Sequence, residues 1–355
     1  QVSWNALGFG ETATEQYFNQ AKAAALHEGN EYKDAKVGDF AKALQLSDYK
    51  VQGTYQTPFM SHAPMEPCNA TVFVQGDQVE VWAPIQGPDG LVNDLATYLG
   101  VKRENIKINV TFMGGAFGRK AVFDFVMQAA NLSKQVNAPV KVIWTREDDI
   151  QQGPYRPGMI SAMQGGLDKD GNVLAFEHRL NGASIMASVF KADMRNNPDP
   201  WAGEGINLED SPYAFPARRN SFSWVDPQMP VLWWRSVYAS TNVFAQESFM
   251  DELAHEGEKD PLALRLHLLR DSPRFVAVLN KLAEISDYQV KRKKGVAIGI
   301  AIARSFASIV AHAFEVQKDG TGVKMKQAYS VIDCGFPLNE DNIKAQVESN
   351  LVYGL

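Results

Sequence analysis

Met113-Gly114-Gly115-Ala116-Phe117-Gly118-Arg119-Lys120 separates two segments of different character. Before it, Ile106 to Phe112 alternates as a strand does, with Ile106, Ile108, Val110 and Phe112 on one face. After it, Ala121 to Gln135 has the spacing of an amphipathic helix, and Val140 to Trp144 reads as a buried strand. Strand, glycine loop, helix, strand is locally α/β. The glycines permit positive φ and a close approach of the backbone to a ligand. A helix starting directly after them would aim its free amides at the loop, a setting for an anionic group. The loop is not a Walker loop, because Arg119 follows Gly118 and neither Ser nor Thr follows Lys120; nor is it GxGxxG. On the glycines alone, a tight strand-to-helix turn reads equally well.

Upstream, Thr12 to about Glu28 and Val37 to Leu46 predict helices, the first on the surface, and Tyr49 to Pro58 a strand. Thr71 to Val74 and Val79 to Ala83 predict a hairpin turned at Gly76-Asp77, and Asp89 to Leu99 a helix. Downstream, Ile160 to Leu167 and Val173 to Ala183 read as strands joined by Asp168-Lys169-Asp170-Gly171, a hairpin turn rather than a calcium loop. Lys191 to Pro230, rich in Pro, Asn and Trp, reads as irregular loops over a cleft. Helices are expected at Thr241 to Glu256 and from Asp260-Pro261 to Leu269, then strands at Val296 to Ala303, Ile309 to Val316 and Val323 to Ile332. The whole is α+β, mixed sheets with packed helices. It divides into a helical or linker segment (1–48), an α/β domain with the glycine loop (49–155) and a second α+β domain (156–355). The chain starts at Gln1 and ends just after an unfinished helix at 342–348, so the expectation is an interior piece of a longer protein.

With 45% hydrophobic and 21% charged residues the composition is that of a folded globular chain. No apolar run approaches the ~20 residues of a membrane span. The net charge of −6 and the lack of a basic stripe argue against nucleic acid, and Lys291 to Lys294 reads as a solvated loop. Cys68 and Cys334 form no CxxC pair, and the six histidines show no ligand spacing, so no metal site is expected from this chain alone.

Two other clusters could face a ligand. Trp233-Trp234-Arg235-Ser236-Val237 precedes a helix and could stack on, or hydrogen-bond to, a flat or phosphorylated group, or simply anchor that helix. Trp82-Ala83-Pro84-Ile85-Gln86 ends a strand on a side chain that both donates and accepts. Glu66, between two prolines, is equally open to either reading.

These segments occur in one order. His62-Ala63-Pro64-Met65-Glu66-Pro67, Glu80 to Gln86 and Met113 to Lys120 come first. Trp144-Thr145-Arg146-Glu147-Asp148-Asp149, Tyr155-Arg156-Pro157-Gly158, Trp233 to Val237, Asp251 to Ala254 and Asp260-Pro261 with Arg265 follow. Asp333-Cys334-Gly335 and Ala345-Gln346-Val347-Glu348 close the series. From about residue 50 onward this resembles the large, molybdopterin-binding subunit of the xanthine oxidase/aldehyde oxidase family of molybdenum hydroxylases. The branch it resembles most is that of isoquinoline 1-oxidoreductase and bacterial aldehyde dehydrogenase large subunits.

The resemblance implies a molybdenum–molybdopterin cofactor, often a cytosine dinucleotide, and hydroxylation of an aldehyde or N-heterocycle with water as the oxygen source. It implies a small partner subunit carrying [2Fe–2S] clusters. Cofactor-binding roles fall on Gly114, Gly115, Ala116, Phe117, Gly118 and Arg235, and Gln86 takes the place of the glutamine near the molybdenum oxo group. Ala116 stands where a third glycine is common, and Ala121 where xanthine-specific members carry Glu, which argues against a purine. The family's general-base Glu is expected outside this chain, so the isolated chain is expected to be inactive and cofactor-free. Two other readings stay open: a non-catalytic binding or assembly module of the same fold, and a nucleotide-binding enzyme of another class.

Overall fold

Strands Met159–Leu167 and Val173–Gly182 are buried along nearly their whole length, because helices cover both faces of the sheet they centre. The computed structural model describes residues 13–355. In chain order it begins with α1 (Ala13–Ala24), β1 (Asn30–Glu31), α2 (Phe40–Gln45) and β2 (Tyr49–Thr57). An α/β layer follows: β3 (Asn69–Gln75), β4 (Gln78–Ala83), α3 (Pro88–Leu99), β5 (Ile106–Val110), α4 (Asp124–Val136), β6 (Val140–Ile143) and α5 (Arg146–Gln152). Then come β7 (Met159–Leu167), β8 (Val173–Gly182), α6 (Ile185–Phe190), β9 (Ala217–Trp224), α7 (Ala239–Glu256), α8 (Pro261–Leu268), α9 (Pro273–Ile285) and α10 (Tyr288–Lys293). The chain closes with β10 (Ala297–Ser305), β11 (Ser308–Asp319), β12 (Gly322–Asp333) and α11 (Glu340–Gly354).

Three sheets result, in the orders β1-β9-β8-β7-β2, β5-β4-β3-β6 and β10-β11-β12. The α+β reading holds, with mixed sheets: β4 and β5 run parallel, as do β8 and β9, and the other pairs are antiparallel. β2 pairs along its length with β7, Tyr49 opposite Leu167, so it belongs to the five-stranded sheet and not to the glycine-loop layer that follows it. α1 lies on the surface as expected but is anchored by one face: Tyr17, Phe18 and Ala21 are buried, and Tyr17 donates to the Gly158 carbonyl at 2.6 Å. The Thr12 start expected for it lies outside the described residues.

Elsewhere the polar composition misleads. The stretch expected to be loops contains β9, whose ARRNSFSW sequence lies inside the largest sheet. Arg218 is 1% exposed there, donating to the carbonyls of Ser211 and Ile206. Its neighbour Arg219 pairs with Glu177 and Glu28. A buried charge is tolerated when hydrogen-bonded this way, and no local periodicity marks these partners, which for Arg219 lie 42 and 191 residues away. Lys291 is likewise not in a solvated loop; it lies on α10 and pairs with Glu315 and Tyr329.

One buried network joins the sheets. Arg265 of α8 has no exposed surface and donates to Glu247 Oε2 at 2.8 Å and Asp251 Oδ1 at 2.7 Å. Glu247 also accepts from Tyr213 at 2.8 Å and from the Ile302 amide of β10 at 3.1 Å. Burial disfavours the Arg265 cation, but Glu247, Tyr213 and Asp251 outweigh this and hold it above the usual arginine range. Arg265→Met leaves Glu247 buried without its counter-charge and is expected to lower stability by about 3–5 kcal/mol. Urea denaturation checks this, and the double substitution Glu247→Gln/Arg265→Met should recover part of the loss.

Candidate cofactor site

The parallel pairing of β4 with β5 places Ala83 opposite Val110, so the carboxyl ends of both strands open on the same edge. Gln86 follows one strand end and the glycine loop follows the other. Ligand sites of parallel α/β layers form at such edges. Here the two meet directly. Gln86 Oε1 accepts from the Gly118 amide at 3.1 Å, and the Gln86 amide donates to the Lys120 carbonyl at 2.9 Å. With its oxygen engaged, the Gln86 side chain keeps an NH2 donor that has no partner among the described residues.

The 62–69 segment supplies a second wall. Glu66 Oε2 accepts from the Gly114 amide at 2.8 Å and from Lys120 Nζ at 2.7 Å, and Oε1 accepts from Asn69 at 3.1 Å. Burial works against this carboxylate, yet the bonds from Lys120, Gly114 and Asn69 outweigh it and keep its pKa below the usual range. Lys120 is fully buried, and Arg119 nearly so, in a paired contact with Asp124 and 5.0 Å from the Trp144 ring. Both loop cations are therefore committed to the protein. Glu66 was legible only as an unusual acid between prolines; nothing in the spacing pointed to Lys120 as its partner.

The third wall comes from the second half of the chain. The Trp233 carbonyl accepts from His62 Nε2 at 2.7 Å and packs on Gly118, where a Cβ would come within 1.9 Å of it. Gly114 is similarly confined, since its Cβ would lie 2.6 Å from that of Glu66. Non-glycine residues held at positive φ gather here: Ala63, Phe117, Ser236 and Val237. Such backbone is costly and clusters at ligand sites. Ala116 is not among them, so the methyl that replaces a glycine there meets no backbone strain.

Two expectations change. The helix does not begin at Ala121; a 3-10 turn (Arg119–Ala121) intervenes and α4 starts at Asp124, whose own carboxylate accepts from the Phe125 amide. The helix end is thus not free to hold an anion. Arg235 lies in the turn before α7, but its guanidinium is engaged by α11, donating to Ser349 Oγ at 3.0 Å and to the Gln346 carbonyl at 2.9 Å.

The donors left over are the amides of Gly115, Ala116 and Phe117, which have no partner among the described residues, and the Gln86 NH2. A row of N–H groups beside strand ends suits an acceptor-rich, anionic ligand such as a pterin phosphate. The residues present therefore fit a molybdopterin. No cluster of three or more His, Cys, Asp or Glu able to hold a metal ion occurs among the described residues, and no described helix is long and apolar enough to cross a membrane.

Residues 25–269 match the family model of the molybdopterin cofactor-binding domain. The chain is 29% identical over 336 residues to the beta subunit of isoquinoline 1-oxidoreductase from Brevundimonas diminuta, a match covering 91% of this chain and 42% of that protein. It is 28% identical to a nicotinate dehydrogenase subunit of Pseudomonas putida, covering 89% of this chain and 28% of the relative. It thus spans less than half the length of either. Among solved structures, quinoline 2-oxidoreductase from Pseudomonas putida 86 shares the fold with a TM-score of 0.61 at 20% identity, over 83% of this chain and 40% of that one. The aldehyde oxidoreductase from Desulfovibrio gigas gives 0.62 at 17%, over 84% and 34%.

Burial, against the pull of the Trp233 carbonyl and with a further push from Arg119, lowers His62 to about 4; burial and Arg218 lower His178 to about 3. An unfolded histidine protonates near 6.5, so between about pH 6.5 and about 4 the unfolded chain binds more protons than the folded one. Stability is expected to fall as pH drops through that window, by up to about 1.4 kcal/mol per pH unit for each histidine. Glu66, depressed when folded, adds a further loss below about pH 4.3. Denaturation midpoints across the window check this, and His62→Gln should remove part of the slope, leaving the shares of His178 and of His312, which burial lowers in the same direction.

Proposed function

This chain belongs to the molybdopterin cofactor-binding domain family, and from that we propose that it forms one wall of the cofactor site in a larger molybdenum hydroxylase. The observation that carries the reading is the contact of Gln86 with Gly118. It sets a free NH2 donor beside the unpaired amides of residues 115–117 at the edge where β4 and β5 end. When bound, the molybdenum–molybdopterin group would supply two-electron oxidation at a carbon atom, with water as the oxygen source.

In this reading the amides of Gly115, Ala116 and Phe117 hold acceptor atoms of the cofactor, while Gly114 and Gly118 set the loop's shape. Gln86, its own carbonyl fixed by Gly118, would turn its NH2 donor toward the molybdenum end of the cofactor. Arg235 takes part from the far half of the chain, its guanidinium steadied by Ser349 and Gln346. The cofactor is a cytosine dinucleotide, the substrate an aldehyde or N-heterocycle, and a small [2Fe–2S] subunit takes the electrons. The names of the relatives from Brevundimonas diminuta and Pseudomonas putida support this substrate class.

Glu66 does not serve as the general base. Its oxygens already accept three hydrogen bonds, and its pKa lies below the usual carboxylate range, far from the near-neutral value an efficient base requires. The base is assigned to a glutamate outside this chain, so the isolated chain is inactive, and because it supplies only one wall of the cofactor site it is also cofactor-free. Measured hydroxylation by the 355-residue chain alone would overturn that assignment. The occupied start of α4 removes the helix end as a phosphate site and leaves the loop amides as the donors for either ligand.

Metal and pterin analysis of the full-length protein tests the main reading: molybdenum with a pterin, and cytidine monophosphate released on hydrolysis, are expected. Bound nucleotide without molybdenum would overturn it. Molybdenum without turnover would favour a non-catalytic role. In the loaded enzyme, Gln86→Ala is expected to lower kcat about 10–100-fold while molybdenum content is largely kept.

A further inference from the structure

The last helix is attached in an unusual way. No residue of α11 is fully buried; Ile343, Val347 and Leu351 are half-buried, and Val347 and Leu351 line shallow cavities against the β10–β12 sheet. Beside these, hydrogen bonds and a ring contact come from Gln346, Ser349, Asn350 and Tyr353, spaced i, i+3, i+4 and i+7, which is one stripe of a helix. Gln346 and Ser349 accept from Arg235 in the turn before α7. Asn350 meets His312 of β11 at 3.3 Å, and His312 is anchored in turn by Ser330 at 2.8 Å. Tyr353 packs its ring on Phe117, with centroids 4.8 Å apart. The stripe therefore runs from Arg235 to the glycine loop and roofs a cavity of about 360 Å³ bounded by Arg235, His312, Gln346 and Asn350.

Phe117 is the one loop residue with a side chain held at positive φ, +56°. A phenylalanine reaches that conformation only when its surroundings over-determine it. Relaxing it to negative φ would turn its amide plane and those beside it, which are the unpaired donors of the loop. We infer that Tyr353 is a positioning residue: through its ring contact with Phe117, α11 acts as a strap that holds the glycine loop in its donor-presenting conformation. This deepens the reading of the loop as a cofactor site and rests on it for its functional consequence, but the mechanical part stands on the contacts alone.

The test compares Tyr353→Ala with Tyr353→Phe in the full-length protein. Tyr353 is 40% exposed, so its truncation leaves no cavity in a core. Amide hydrogen exchange is followed at Gly114 and Gly118, the two loop amides held by hydrogen bonds to Glu66 and Gln86, with β7 and β8 as internal controls. Tyr353→Ala is expected to speed exchange in the loop by about tenfold or more with the controls unchanged, and Tyr353→Phe to restore the slow rate. Asn350→Ala, which loosens the same stripe one turn earlier, should act in the same direction more weakly. If Tyr353→Ala leaves loop exchange at the parental rate, the strap is wrong whatever the cofactor content. If exchange speeds up while molybdenum and pterin content stay at the parental level, the strap stands and the loop's role in holding the cofactor fails. Joint loss of slow exchange and of cofactor, both rescued by Tyr353→Phe, supports the two together.

Discussion

An ammonium with no exposed surface has to be answered by a carboxylate. Lys120 is answered by Glu66, and much of the site follows from that pairing. Glu66 Oε2 serves Lys120 and the Gly114 amide at once, so neutralising the buried charge also fixes where the glycine loop begins. The Lys120 carbonyl meanwhile takes the Gln86 amide, which fixes where the β4 extension ends. Three segments far apart in sequence are thereby joined at one lysine, and none can shift without exposing or stranding its charge.

That arrangement changes what the glycines mean. Close approach of backbone was legible in the pattern Gly-Gly-Ala-Phe-Gly, but at two of the three glycines the approaching group is the protein itself. The Glu66 side chain excludes a Cβ at Gly114, and the Trp233 carbonyl excludes one at Gly118. At Gly115 the demand is one of backbone conformation alone, with φ at +94° and no neighbour closer than 3.4 Å to a Cβ, whereas Gly118, at φ +107°, combines both demands. A glycine motif therefore does not by itself separate a ligand loop from a tight turn. What separates them is the set of donors that remains once internal bonds are made, and that set is visible only in three dimensions.

The sequence was informative wherever local physics decides the outcome. Period-two alternation located β2, the β3–β4 hairpin and the last three strands, and the Asp260-Pro261 pair marked the start of α8, with Asp260 accepting from the Leu262 and Ala263 amides. It failed where long-range pairing overrides composition. β9 carries two adjacent arginines and an asparagine inside a sheet because Glu177, Glu28 and the carbonyls of Ser211 and Ile206 receive them. The same holds at the site. Gln86 and the loop were marked as candidates, yet their mutual contact depends on parallel pairing of β4 with β5, which no local pattern specifies. Arg235 was legible as a lone cation among tryptophans; that its partners are Gln346 and Ser349 was not.

The glycine-loop layer does not complete its own site. The carbonyl that closes over Gly118 belongs to Trp233, which sits in an aromatic cluster with Phe190 and Trp201 on the far half of the chain. His62 donates to that same carbonyl from a buried ring that burial keeps neutral. Trp234 beside it stacks against Arg156, whose guanidinium also reaches the Pro58 carbonyl where β2 leaves its sheet. The positive φ values of Ser236 and Val237 then turn the chain into α7, so that Arg235 faces α11 and not the core. The loop's geometry is therefore a property of both halves docked together. A cofactor bound along it would touch the first half while depending on the second, so substitutions at Trp233 or Arg235 act on the loop without needing to touch a ligand.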